Sequence, residues 1–532
     1  MPAPALQSTL PSEIGEWLDR FTAGLAAAVE RRKLWFLGCF SALYFLRTFL
    51  LARSRPMWYD ELYTFHTARL PRASDIWTAL AGGLDLLPPL SFFATRVCHH
   101  LFGATEVSTR LPEIVGFWVL SLCLFQFVSR RSDALYGAVA ALFPFATGAY
   151  RYAYEARPYG IVLGCCGLSL LFWQSAASSV RRNWALPGLA LSLAAALSSH
   201  YYGVLLLLPL AVGELVRTVS RKRVDWAVWL ALAASLLPLL FFLPLIRGAR
   251  AYSAGFWSRP HFSSIADSYA FLLFPTIRFA VLALVCAAVL ALLNGGAGNS
   301  RASGRRGAFR AHEIAAALGL ALFPVAALTA AFLTGAFALR YTLPAVAGFS
   351  ILVAFLACRA DRRQGVAGAV LFLILFGWFT GGAANLAAKA VAGRAGRAPA
   401  SEDLATADPL LASLAGPDLP VVSSDALRFL QWSHYGPPSL TSRLFYLHDL
   451  PAAVRFTGSD SLDRELVNLR HWVPVNVEDY NLFVASHRRF LLYQCADQPL
   501  AWVISRLLAD GQSVRLQASH AGCSLYLVTV ER

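Results

Sequence analysis

A membrane-crossing helix needs about 20 apolar residues at a rise of 1.5 Å each. Apolar runs of that length recur near 34–52, 111–129, 134–150, 159–178, 184–200, 203–219, 226–246, 275–293, 312–334, 341–358 and 365–383. This pattern predicts about eleven spans. Basic clusters punctuate it at Arg31-Arg32-Lys33, Arg130-Arg131, Arg181-Arg182, Arg221-Lys222-Arg223, Arg301 to Arg310 and Arg359 to Arg363, in alternate loops. Positive charge marks the cytoplasmic side, so the N-terminus is expected inside. The opposite side then receives loop 53–110, the turn His200-Tyr201-Tyr202, loop 247–274, the turn near 335–340 and the tail from about 385.

Finer periodicity fills in the rest. Leu10, Ile14, Leu18, Phe21, Leu25 and Val29 recur at helical spacing and predict an amphipathic helix on the cytoplasmic surface. Residues 34–51 read as a retained first span, because Arg53, Arg55 and Trp58 stand where a signal peptide would carry small residues. In loop 53–110, Leu62, Phe65 and Leu70, then Phe92, Phe93, Val97 and Leu101, predict two short helices, the second started by Pro88-Pro89. Residues 294–308, rich in Gly, Asn, Ser and Arg, read as a linker. In the tail, 419–422 and 489–493 read as buried strands, 424–435 and 501–510 as helices, and 513–518 with 524–530 as a hairpin. The fold class expected is an α-helical polytopic membrane protein with a small C-terminal α/β domain. Its divisions fall at 1–33, 34–384 and 385–532.

Composition agrees with a membrane protein: 57% of the 532 residues are hydrophobic and 14% charged. A net charge of +15 would suggest nucleic acid in a soluble chain, but here the basic residues sit in topology-setting loops. Of the 9 cysteines none shows CxxC spacing; Cys495 and Cys523 share the polar tail, where they can pair or remain thiols. No Walker A, HExxH, GxSxG or EF-hand pattern occurs.

The candidate chemistry lies on the outer side. Met57-Trp58-Tyr59-Asp60-Glu61-Leu62-Tyr63 places two adjacent carboxylates just past the first span. A partly desolvated carboxylate there can act as a general base toward a hydroxyl. Asp60 and Glu61 are therefore the catalytic candidates, with a helix cap as the plainer alternative. Arg151-Tyr152-Ala153-Tyr154-Glu155-Ala156-Arg157-Pro158-Tyr159 offers Arg157 to a phosphate and Glu155 to orient it; a structural ion pair explains the same residues. Arg340 and Arg259 are further phosphate candidates, and Tyr59, Tyr159, His200, Tyr201 and Tyr341 are candidates for lining a site. Asp60, Glu61 and His200 could together hold a divalent metal, the one cofactor the residues suggest.

The stretches Trp58-Tyr59-Asp60-Glu61, Tyr154-Glu155-Ala156-Arg157-Pro158-Tyr159 and Arg340-Tyr341-Thr342-Leu343-Pro344, with Pro88-Pro89-Leu90 to Arg110-Leu111-Pro112, resemble bacterial GT-C class membrane glycosyltransferases. The group contains the protein O-mannosyltransferases and the aminoarabinose and galacturonic acid transferases of lipid A. The resemblance extends to about residue 360. It implies a polyprenyl-phosphate sugar donor, inversion at the anomeric carbon, Asp60 as base, and Arg157 and Arg340 on the phosphate. It also implies a bacterial inner-membrane location with the C-terminal domain in the periplasm, and a glycan, lipid or protein acceptor. Relatives often carry a basic residue or His before the Pro-Pro pair, where this chain has Leu87. Two other classes compete: a flippase for lipid-linked sugars, and a non-catalytic envelope-assembly protein. A transporter would place charges at mid-membrane and show paired repeats, and neither is evident in this sequence.

Overall fold

The computed structural model describes residues 10–178, 181–250, 252, 256–293, 309–364, 366–392, 410 and 419–531. The expected linker 294–308, most of the Arg301 to Arg310 cluster and most of 393–418 lie outside the described residues.

A helical bundle makes up the first part of the chain. Its best-packed pair is Glu106–Ser129 against Tyr159–Ala177. A Cβ on Gly116 would lie 2.3 Å from the Gly160 carbonyl oxygen, so only glycine lets these backbones approach as they do. Close approach through small residues is how helices gain packing energy where burial from water adds little.

Among the described residues six helices are long and apolar enough to cross a membrane: Lys33–Arg53, Glu106–Ser129, Tyr159–Ala177, Tyr201–Arg221, Ser264–Ala283 and Ala367–Val391. Two bent pairs raise this to eight, fewer than the eleven expected. The apolar runs are broken more often than hydropathy shows. The segment 134–150 ends as an α-helix at Leu142 and continues as 3-10 turns through Phe143–Ala146 and Gly148–Tyr154. Trp226–Phe241 and Leu243–Ala249 meet at 65°, and Ala311–Ala321 and Phe323–Thr334 at 51°. Prolines follow each interruption, at Pro144, Pro244 and Pro324, where the missing N–H removes a helical hydrogen bond.

Basic and acidic residues pair at the ends of the bundle away from loop 53–110. Arg131 binds Glu313, Arg182 binds Asp225, and Arg217 binds Glu214 and Asp225. The expected amphipathic helix forms as Leu10–Arg31.

Loop 53–110 folds into three helices, Tyr59–Ala68, Ala73–Ala81 and Leu90–Phe102, instead of two. The extra one is capped by Asp75, whose carboxylate accepts the Arg72 N–H at 2.9 Å.

The tail forms a six-stranded mixed sheet, β1 (Val421–Ser423), β2 (Leu444–His448), β3 (Val477–Asp479), β4 (Arg489–Cys495), β5 (Ser513–His520) and β6 (Cys523–Thr529), in the order β3-β2-β1-β4-β6-β5. β1, β2, β3 and β4 run parallel through helical crossovers, and β4, β6 and β5 are antiparallel. The expected hairpin is β5–β6. Cys495 and Cys523 face each other across the β4–β6 ladder and form a disulfide. Helices Leu450–Thr457, Ser461–Leu469 and Tyr480–Ser486 were not apparent in the sequence.

This domain is clamped onto loop 53–110. The Met57 N–H donates to the Tyr435 hydroxyl (2.9 Å) and Gln431 donates to the Met57 carbonyl (3.0 Å). Asn468 donates to the Gly83 carbonyl (3.1 Å) and to the Tyr252 hydroxyl (2.8 Å), and Tyr252 donates to the same Gly83 carbonyl (2.7 Å). Gly83 has φ +84°, a left-handed turn that delivers the following Asp85.

Candidate active site

Between the end of the bundle that carries loop 53–110, that loop and the sheet domain lies a cavity of about 940 Å3. It has a charged end and an apolar flank. Asp60, Asp85, Arg157, Arg340 and Glu465 gather at the first, and Leu239, Ile246, Phe256 and Leu333 line the second.

Asp60 stands in the first turn of helix Tyr59–Ala68. Its Oδ2 accepts from Arg340 Nη2 at 2.9 Å and lies 3.6 Å from Arg157 Nε. Arg157 also donates to the Asp60 carbonyl (3.3 Å) and, through Nη1, to Asp85 (2.7 Å). It is therefore clamped between two carboxylates, and both arginines converge on one oxygen of Asp60. The Arg340 guanidinium lies 5.6 Å from the Trp58 ring centre. The Nε–H groups of Arg157 and Arg340 and the Trp58 indole N–H are buried without hydrogen-bond partners among the described residues. Unsatisfied buried donors are uncommon; these three flank Asp60, while others lie elsewhere in the bundle, Arg217 Nη1 among them.

Glu61 does not share this site. Consecutive residues on a helix point about 100° apart, so Glu61 turns away from the cavity. Arg110 grips both its oxygens at 2.6 Å, and the Ala156 N–H donates to it at 2.7 Å. Pair exposure is 1% and 2%. Arg110 also donates to the carbonyls of Ala52, Arg55 (2.9 Å) and Pro56 (3.2 Å). Both Glu61 oxygens are thus engaged in a buried pair at the turn leading to Asp60, and Glu61 does not line the cavity.

Glu155 likewise does not line the cavity. Arg157 is oriented by Asp85 and Asp60, while Glu155 is buried outside the cavity, 3.6 Å from Arg151. Burial, then the neighbouring Glu61, pushes its carboxyl up to about 7. Arg259 is exposed and does not line the cavity.

The aromatic candidates do assemble. Tyr59, Tyr159, His200, Tyr201 and Tyr341 all line the cavity. His200 Nδ1 accepts the Tyr202 N–H at 3.1 Å, and its ring packs 4.9 Å from Tyr341 and 5.5 Å from Tyr159. With one nitrogen so engaged and Glu61 turned away, Asp60, Glu61 and His200 do not form a metal site. Among the described residues no three potential ligands converge.

Asp85 and Glu465 are the residues the sequence did not reveal. An acid two positions before Leu87, in a loop already placed outside, was a readable signal for Asp85. Glu465 had none, since its position in the cavity depends on how the sheet domain docks.

Residues 87–247 match the model of the dolichyl-phosphate-mannose-protein mannosyltransferase family. The cavity residues Arg157, Tyr159, His200 and Tyr201 fall inside this stretch, and Asp60, Asp85, Arg340 and Glu465 outside it. Among curated proteins no sequence matches the chain. The crystal structure of ArnT from Cupriavidus metallidurans in the apo state superposes with a TM-score of 0.55 at 15% identity, covering 94% of this chain and 98% of that one. The same protein bound to undecaprenyl phosphate gives 0.52 at 15% identity over 92% and 98%. The chain thus has the GT-C fold of ArnT, with a C-terminal sheet domain, and over residues 87–247 it is similar to dolichyl-phosphate-mannose-protein mannosyltransferases.

Proposed function

We propose that the protein is an inverting glycosyltransferase of the bacterial inner membrane, moving a sugar from undecaprenyl phosphate to a hydroxyl acceptor on the periplasmic side. The observation that carries this reading is the convergence of Arg157 and Arg340 on Asp60 at the charged end of a cavity whose flank is apolar. The undecaprenyl phosphate bound by the ArnT neighbour supports the donor class, and the match to mannosyltransferases supports the reaction class. The Cys495–Cys523 disulfide supports an oxidising compartment for the sheet domain.

In this reading the polyprenyl chain follows the apolar flank and its phosphate meets Arg157 and Arg340. Forked guanidinium donors suit phosphate oxygens, and the three buried N–H groups without partners mark donor capacity beside Asp60. The acceptor O–H passes its proton to Asp60 as its oxygen forms a bond to the anomeric carbon. The bond from that carbon to the phosphate oxygen breaks, and the electron pair leaves with undecaprenyl phosphate. Arginine charge fixed before the reaction stabilises this departing anion. No step needs Glu61.

The test is release of undecaprenyl phosphate from undecaprenyl-phosphate pentoses, hexoses and hexuronic acids by the purified protein, with and without candidate acceptors. Sugar-dependent release supports the assignment. Binding of these lipids with no release from any would count against it and favour a carrier.

A further inference from the structure

The carboxyl ends of the parallel strands point at the cavity. Leu427 follows β1, Gln498 and Pro499 follow β4, and Leu462 and Glu465 lie on the β2-to-β3 crossover, and all of these residues line it. The strand order reverses between β1 and β4, with β2 and β3 to one side. In open α/β sheets ligands bind at such a switch point, outside the carboxyl ends of the strands. The sheet domain thus presents its binding edge to the membrane site.

Among the described residues Glu465 is the one charged group from that edge in the cavity. It comes from helix Ser461–Leu469, is half-buried, and opens onto the cavity. Its carboxyl lies 3.0 Å from the Tyr59 hydroxyl, which is 3.2 Å from the Tyr63 hydroxyl. Asp60 and Asp85 approach it from loop 53–110, Arg157 from the bundle and Tyr252 from loop 247–274, while Arg464 flanks it on its own helix. No cation binds it directly among the described residues, which sets it apart from Asp60 and Asp85.

We propose that Glu465, supplied by the C-terminal domain, recognises the donor's sugar by hydrogen bonds to its hydroxyl groups, with Tyr59 beside it. This rests on the proposed donor class. A sugar joined to a phosphate at Arg157 and Arg340, with its anomeric carbon within reach of a hydroxyl at Asp60, occupies the space these acids and tyrosines border. Burial, reinforced by Asp60 and Asp85, pushes the Glu465 carboxyl up to about 8. At neutral pH it then carries a proton and offers both a donor and an acceptor, as a hydroxyl needs.

The test uses the full-length protein in lipid nanodiscs and two probes, undecaprenyl phosphate and undecaprenyl-phosphate sugars, read by binding affinity. Wild type is expected to prefer a sugar-bearing lipid. Glu465→Ala should lose about tenfold of that preference, the size of one good hydrogen bond, and keep its affinity for undecaprenyl phosphate. Glu465→Gln, which also donates and accepts, should recover most of the loss. An undiminished preference in Glu465→Ala overturns the proposal. An equal fall for both lipids also overturns it, by showing that Glu465 only holds the domain in place. If wild type binds neither lipid, the donor assignment itself falls, and this inference with it.

Discussion

Arg110 holds both carboxylate oxygens of Glu61 at 2.6 Å, in a pair shielded almost completely from water. Of two neighbouring acids one is thereby committed to structure and the other, Asp60, is left to the cavity. Removing one partner of a buried pair strands the other charge and costs about 3–5 kcal/mol. Arg110→Leu and Glu61→Leu are therefore expected to lower the thermal midpoint in detergent strongly, with activity lost alongside the fold. Asp60→Asn should leave that midpoint within a few degrees of wild type. Equal thermal stability of Glu61→Leu and wild type would return Glu61 to the list of chemical candidates.

Arg157 and Arg340 differ in what holds them. Arg157 has two carboxylate partners, Asp60 and Asp85, whereas Arg340 binds Asp60 alone. Arg340→Ala should therefore weaken binding of undecaprenyl phosphate by roughly 10- to 100-fold, as loss of a hydrogen bond to a charged group implies. The fold should survive. Arg340→Lys restores charge without the fork and should recover only part of the affinity. Titration of the lipid into each variant decides this; unchanged affinity in Arg340→Ala would remove it from the phosphate site.

Glu155, Glu465 and Asp463 are among the carboxyls that burial raises, and above neutral pH they give a pH dependence of definite sign. Glu155 is pushed from its ordinary 4.5 up to about 7, and Glu465 up to about 8. Between the unfolded and folded values the folded chain holds protons that the unfolded chain releases. Stability from these groups is thus greatest near pH 4.5, falls as pH rises, and levels off above each folded value. Below about pH 6.5 His66, His99 and His200, lowered by burial to about 3, about 4 and about 3, pull the other way, so the thermal midpoint should decline from about pH 7 to about pH 8.5, and less steeply in Glu155→Gln. A midpoint that rises over this range, or an identical slope in Glu155→Gln, would contradict the burial argument.

For turnover, the same ionisation of Glu465 predicts an alkaline limb near pH 8. Glu465→Gln cannot ionise, so its pH–rate profile should lack that limb while keeping any acidic one. A limb that persists unchanged in the variant would assign it to another group.

Much of the site was legible because topology is. Alternating basic loops placed Asp60, Arg157, His200 and Arg340 on one side of the membrane, and the structure brings these four into one cavity. What the sequence does not encode locally is direction. Asp60 and Glu61 look equivalent as letters, and only helix geometry with the distant Arg110 separates them. Fewer helices pass as spans because the break at Phe143-Pro144 leaves hydropathy unchanged, while the runs 184–200 and 341–358 form continuous helices, Arg182–Ser199 and Ala345–Gln364, that are not apolar enough to be counted. Asp85 and Glu465 depend on long-range docking, the one on a left-handed turn at Gly83, the other on a crossover helix tied through Asn468 to Gly83 and Tyr252.

The most direct measurement compares wild type with Asp60→Asn for release of undecaprenyl phosphate from a panel of undecaprenyl-phosphate sugars. Wild type should turn over at least one. Asp60→Asn should bind the same donor yet release the lipid about 100- to 10,000-fold more slowly, the range for loss of a general base. Equal release by a folded Asp60→Asn protein would contradict the assignment of Asp60 as the base.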